Sequence, residues 1–288
     1  MFPERSSNHN GMNNLFLSLL DNPSKRKNSI LLLLDMIPFG HHPLPYMERI
    51  EDPVARNMLR HQFGSSMNEM KLRYDLQNYT RRAKGRFDLE TGAFLISRLS
   101  ENPEITPEKF TYQIDKTAAS LNLSFDRMTL DVLEKFSDLL FNQNQFRGNA
   151  EDPYNPQNSF LTAVLEKGLG NSVSLTVLSI LLGKRLGIQL CAISLQGHYM
   201  IRAVIDNQFY YMDPFCRGKI YTEEEFGRIA LSEMGKKYIF QNITLSDIVI
   251  LKRMYRNLIH YHSSEGDFHR EMTLRQYFSL LEDSSLSH

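Results

Sequence analysis

One helix limits what this chain can become. From Val173 to Leu186 the sequence reads VSLTVLSILLGKRL, and Gly187 follows as a good C-terminal stop. At 3.6 residues per turn, Val173, Leu175, Val177, Leu178, Ile180, Leu181, Leu182 and Leu186 cover most of the circumference rather than one stripe. A helix apolar nearly all round has to be buried on nearly every side. The longest unbroken apolar run, Ile30 to Leu34, is far shorter than the roughly 20 residues that span a bilayer. The helix must therefore be wrapped by other elements of its own chain.

The residues after it supply a sheet. Leu190 to Leu195 and Tyr199 to Ile205 read as strands, Asp206-Asn207 is a hairpin turn signal, and Gln208 to Met212 is the return strand. Thr222 with Glu225 three residues on is a capping box that starts a helix to about Met234. Two further helices follow, about Ser246 to His262 and Asp267 to Leu281, joined at Glu265-Gly266-Asp267. A buried helix on a small antiparallel sheet, flanked by helices, is an α+β architecture.

Before it the chain is helical. Residues 1 to 11 are polar and read as a disordered tail, and Leu15 to Leu20 begins an amphipathic helix that breaks at Asn22-Pro23-Ser24. Lys25 to Ile37 reads as a helix with Ile30, Leu31, Leu33, Leu34 and Ile37 inward. The helical pattern resumes from Tyr46 to about Arg86 and from Leu89 to Leu99, and Glu101-Asn102-Pro103 stops it. Thr106-Pro107-Glu108 combines a capping hydroxyl, a proline suited to the first turn and a favourable acid. Ser124 is expected to cap a helix from Phe125 to Phe141, and Asn158 a short one to Gly168. The expected organisation is a tail over 1–11, a helical region over 12–141, the α+β core over 142–240 and a helical hairpin over 241–288.

A hydroxyl, an imidazole and a carboxylate arrive in order on these elements. If Asp206-Asn207 is a two-residue turn, Ile205 faces Gln208 and His198 falls opposite Phe215, one diagonal step from Asp213 and on the same face. A one-residue slip would send Asp213 to the other face. An aspartate so placed would orient the ring and favour its protonated form. A nucleophile at the start of the buried helix would complete the set, where backbone N–H groups stabilise negative charge. Ser172 and Ser174 are both available there, and Asn158 or the helix-start amides are candidate oxyanion donors. As isolated features, the serine reads as a cap, the aspartate as a turn residue and the histidine as a structural group.

This order of elements resembles the transglutaminase-like fold, a relative of papain. The segments FRGN (146–149), DPYNPQNSFL (152–161), GNSVSLTVLSILLGKRLGI (170–188), LQGHYMIR (195–202) and MDPFCRG (212–218) are similar to the bacterial SirB-type transglutaminase-like family, in which a tetratricopeptide-like tail follows the core. The resemblance implies acyl transfer or amide hydrolysis and places the family's serine on Ser174, its histidine on His198 and its aspartate on Asp213. Counting back from Gly187, the cysteine of true transglutaminases falls nearer Ser172. Where the family has Asn-Gly-Gly, this chain has Cys216-Arg217-Gly218, which sets a thiol near the carboxylate.

Composition bounds the alternatives. Lys+Arg and Asp+Glu are both 33, so the net charge is zero, which argues against a general nucleic-acid binder. Arg73, Arg81, Arg82, Lys84 and Arg86, interleaved with Tyr74 and Tyr79, are a conceivable RNA-binding face, but Asp75, Asp88 and Glu90 dilute it and favour a solvated helix face. Cys191 and Cys216 lack metal-ligand spacing, and adjacent His41 and His42 cannot both face one site on a regular element, so no metal or other cofactor is expected. Two free thiols and no apolar signal core suggest a soluble cytoplasmic protein. The rival to an enzyme is a non-catalytic module whose helical regions bind a protein partner.

Overall fold

A computed structural model describes residues 26–50, 52–100, 105–144, 146–234 and 244–283, together with Asn14 and Ser18. The expected tail over 1–11, the Leu15–Leu20 helix apart from Ser18, the break at Asn22-Pro23-Ser24 and the stop at Glu101-Asn102-Pro103 lie outside the described residues. Before the core come helices α1 (Arg26–Met36), α2 (Leu44–Met47), α3 (Pro53–Ala83), α4 (Leu89–Ser97), α5 (Pro107–Ser120) and α6 (Leu130–Ser137), the last running on into a π-helical stretch, Asp138–Gln143. The core holds β1 (Arg147–Gly148), a 3-10 turn at Pro156–Ser159, α7 (Leu161–Lys167), β2 (Leu169–Gly170), α8 (Ser172–Leu186), β3 (Leu190–Leu195), β4 (His198–Ile205), β5 (Gln208–Asp213), β6 (Lys219–Thr222) and α9 (Glu223–Met234). Helices α10 (Asp247–Ser264) and α11 (Phe268–Asp283) close the chain.

Several starts obey the expected local chemistry. Thr106 accepts a hydrogen bond from the Lys109 amide, and Thr222 and Glu225 form the reciprocal capping box. Others differ. The segment from Tyr46 is divided at Pro53, because Asp52 accepts from the Val54 amide and proline suits the first helical position. The helix expected from Ser124 begins later, where Thr129 rather than Ser124 accepts from the Val132 amide. Asn158 does not cap a helix; it lies inside the 3-10 turn that Asn155 caps, and α7 has no side-chain cap. In α1, Leu33 and Leu34 are buried, but Leu31 faces outward at 43% exposure.

The sheet is antiparallel in the order β3-β4-β5-β6. Two of its hairpins turn on two residues with positive φ, Gln196-Gly197 and Asp206-Asn207, a geometry that matches the twist of the strands they join. Ile205 pairs with Gln208, as the two-residue turn requires. β6 was not legible in the sequence: KIYT is too short to show a period.

Alternation along the strands divides the sheet faces. Ala192, Tyr199, Ile201 and Met212 join the main core with α8, while Ile193, Met200 and Tyr211 pack with Phe226 and Ala230 of α9. Tyr211 and Phe226 stack with ring centroids 4.0 Å apart. α8 is buried as its composition demands, and its main-core cluster extends from Leu72 to Leu281, so α10 and α11 share the core of the sheet and its helix. Arg185, at the end of α8, holds Glu90 of α4 through two hydrogen bonds of 2.6 and 2.7 Å and Asp115 of α5 at 2.9 Å. Arg73, Arg81, Arg82, Lys84 and Arg86 are exposed, whereas Tyr79 and Asp75 are buried, so Asp75 does not belong to the solvated face. No described helix is long and apolar enough to cross a membrane.

Candidate active site

His198 is the first residue of β4 and Asp213 the last of β5. The hairpin register sets them diagonally on one face, and His198 Nε2 donates to Asp213 Oδ2 at 3.0 Å. The second oxygen of Asp213 accepts from the Phe215 and Cys216 amides at 2.9 and 3.2 Å. Burial by itself would raise the Asp213 carboxyl, but the hydrogen bond and charge of His198, with the bonds from Cys216, outweigh it and hold the group below its ordinary value. The Asp213 side chain is 9% exposed and that of His198 37% exposed, so the carboxylate anchors a ring that still reaches open space.

The segments around this pair explain their glycines. The Phe215 ring meets the His198 ring edge-on at 6.0 Å. A Cβ on Gly148 would come within 2.4 Å of the Phe215 ring, so the glycine of FRGN makes room for it. Gly218, at φ +69°, lets the loop after Asp213 close on Ser137, whose hydroxyl donates to the Gly218 carbonyl at 2.7 Å.

The two serines separate. Ser174 is fully buried; its hydroxyl donates to the Asn158 carbonyl at 2.5 Å and accepts from the Asn171 amide, while its own amide donates to Asn171 Oδ1. It is the third residue of a capping box and points away from the open site. Ser172, half-buried at the first position of α8, lines the same cavity as His198. Its Oγ accepts from the Tyr199 amide at 3.3 Å, and among the described residues it makes no hydrogen bond to the His198 ring. Of the two serines, Ser172 and not Ser174 lines the cavity with His198. Asn158 is not placed to donate to an oxyanion either: it is buried, its Nδ2 donates to the Asp152 carbonyl and its Oδ1 accepts from Asn149.

The cavity has a volume of about 540 Å³. One wall is the core: Ser172, Asn171, His198 and Phe215. The other is α10, which contributes Arg253, Arg256, Asn257 and His260. Sequence reasoning missed this wall. Positions 253, 256, 257 and 260 have helical spacing, but they look like any polar face until α10 is docked. Cys216 gains no activation here, since burial and the neighbouring Asp213 charge push its thiol up. His42 is buried with its ring pushed down to about 4, first by desolvation and then by Arg98. Among the described residues no group of three or more His, Cys, Asp or Glu side chains is placed to hold a metal ion.

A family model described as the transglutaminase-like superfamily matches residues 108–256, from α5 to the middle of α10. The chain belongs to this superfamily. Its transglutaminase-like region therefore includes Ser172, His198, Asp213 and both cavity arginines. A UPF0162 protein from the Temecula1 strain of Xylella fastidiosa is 32% identical over 149 residues, 51% of this chain and 53% of that relative. A UPF0162 protein from another strain of that species is 30% identical over 179 residues, 59% of this chain and 63% of the relative. F-box only protein 21 of Mus musculus is 28% identical over 167 residues, 53% of this chain and 24% of that protein. The chain thus spans about half to two thirds of the bacterial relatives and a quarter of the mouse protein. No solved structure matches it.

Proposed function

We propose that this transglutaminase-like protein catalyses acyl transfer or amide hydrolysis, with Ser172 as nucleophile, His198 as base and then acid, and Asp213 as the group that orients His198. The observation that carries the reading is the 3.0 Å His198–Asp213 bond beside a cavity that Ser172 also lines. That bond occupies Nε2 and leaves Nδ1 as the ring nitrogen available for proton transfer. Ser172 Oγ would attack the substrate carbonyl as its proton passes to Nδ1. Collapse of the tetrahedral adduct would break the C–N bond, return that proton to the leaving amine and leave an acyl ester on Ser172. Water or a second amine would then take the acyl group. The positive end of α8 favours the oxyanion. A serine needs its base more than a cysteine would, because a thiol is partly ionised near neutral pH. Apo catalytic hydrogen bonds are often long and tighten with substrate, which accommodates the absence of a Ser172–His198 bond.

The order and spacing of the segments FRGN, DPYNPQNSFL, LQGHYMIR and MDPFCRG support placement in the SirB-type subfamily, with α10 and α11 as a tetratricopeptide-like tail. The free thiols of Cys191 and Cys216 suit a reducing, cytoplasmic setting. A rival reading, a non-catalytic interaction module, draws on Phe268 and Met272, which are 74% and 57% exposed one turn apart on α11.

The deciding experiment treats purified protein with a serine-directed acylating probe and locates adducts by mass spectrometry. The expected result is an adduct on Ser172 that is lost in Ser172→Ala and His198→Ala but kept in Ser174→Ala. No adduct on the native chain, or one indifferent to His198→Ala, rejects the catalytic reading and favours the module.

A further inference from the structure

The charge lining the cavity is one-sided. Among the described residues its walls include Arg253 and Arg256 and no aspartate or glutamate. Asp213 stands behind His198 and is not part of the lining. Among the described residues neither arginine forms an ion pair, and Arg253 Nε is buried without a hydrogen-bond partner. Two guanidinium groups facing one crevice without counter-charge raise its potential and draw anions into it.

Both groups are held in place. Arg256 lies over the Phe278 ring of α11, 5.2 Å from its centroid. Arg253 packs over the turn that precedes the catalytic strand: a Cβ at Gly197 would sit 3.4 Å from Arg253 Nη2. The guanidinium thus rests at contact distance on a turn where φ +87° calls for glycine, beside His198. The i, i+3 spacing of 253 and 256 puts the pair on one face of α10, with Asn257 and His260 continuing it, while Met254, Tyr255 and Leu258 face the core.

We infer that this cavity binds an acyl substrate carrying an oxyanion group, a carboxylate or a phosphate, with Arg253 and Arg256 clamping the anion while the carbonyl lies at Ser172. The planar fork of arginine matches both groups bidentately and stays charged at any physiological pH. A volume of about 540 Å³ suits a small molecule or the end of a peptide. The inference rests on the acyl-transfer reading only for which end of the ligand reacts; the anion site stands on the arginines alone.

The test is a titration of the full chain at constant ionic strength with succinate, with inorganic phosphate and with neutral succinamide. Ring resonances of His198 and the melting temperature are the readouts. Saturable shifts with succinate, phosphate or both are expected, with succinamide silent, and the stronger of the two anions names the preferred group. Arg256→Gln and Arg253→Gln should each weaken binding about tenfold or more, the usual scale for a charge-assisted contact. Where Arg253→Gln does not fold, Arg253→Lys and Arg256→Gln carry the test. Absence of saturable shifts with both anions overturns the inference, as does undiminished binding by the arginine variants. Anion binding that persists in a protein giving no acyl adduct removes the nucleophile and keeps the anion site; an adduct without anion binding does the reverse.

Discussion

Asp75 and Asp213 are both carboxylates gripped by cationic partners, yet they sit in opposite situations. Asp75 is fully buried between α3 and α4, with Lys71 Nζ at 2.7 Å and Arg98 Nη1 at 2.6 Å, and these partners are buried as well. Burial pushes the Lys71 ammonium and the Arg98 guanidinium down, and Asp75 works against that shift in both. Asp213 is nearly as buried, but its partner His198 opens onto the cavity. Pairing a charge tells little about function. What separates a structural pair from a chemical one is whether a partner keeps a face toward open space.

The comparison breaks first at Asp75. Asp75→Ala leaves two buried cations uncompensated and should cost about 3–5 kcal/mol in chemical denaturation, the scale for breaking a buried pair. A loss under about 1 kcal/mol would show that water reaches the triad. The next effect belongs to Ser174. Ser174→Ala removes a buried hydroxyl bonded to the Asn158 carbonyl and the Asn171 amide, which keep a 3.2 Å bond to each other, and should cost about 0.5–1.5 kcal/mol while acyl labelling at Ser172 persists. Labelling lost in a folded Ser174→Ala protein would return the nucleophile to that position.

A smaller effect appears with pH. The folded-state value of Asp213 is depressed below its ordinary 3.8. Its contribution is therefore present above the unfolded value and disappears as pH falls through the lower folded value. The melting-temperature gap between the native chain and Asp213→Asn should be widest near neutrality and shrink in acid below about pH 4. A gap constant across that range would mean that His198 does not stabilise the carboxylate. Least of all for stability is Ser172→Ala, expected within about 0.5 kcal/mol, because among the described residues the hydroxyl accepts a single 3.3 Å bond. Its consequence is confined to chemistry.

The α+β core was legible to the residue in places. The Asp206-Asn207 turn predicted the register Ile205–Gln208, and with it the His198–Asp213 contact, because side chains alternate with period two. Thr106, Thr222 and Gly187 marked their helix ends through local hydrogen bonding or a left-handed stop. Less local features escaped. Ser124 and Thr129 are equally good caps in sequence, and packing of Leu133 and Phe136 chose the later start. Asp75 looked like a surface acid because its partner Arg98 lies 23 positions away, just past the end of another helix. Ser172 and Ser174 differ by two residues on one helix turn, so only the capping box around Asn171 told which points inward.

By itself the sequence determined that a helix apolar nearly all round must be wrapped by its own chain, and that a two-residue turn at Asp206-Asn207 puts His198 and Asp213 on one face of the hairpin. Those are consequences of periodicity and turn geometry, which act over a few residues. Tertiary structure decided which serine meets the cavity and that Arg253 and Arg256 of α10 form its far wall. The physical reason is range: the docking of a distant helix is settled by packing in three dimensions, and the residues around Ser172 and Ser174 do not say which of them it will leave facing the cavity.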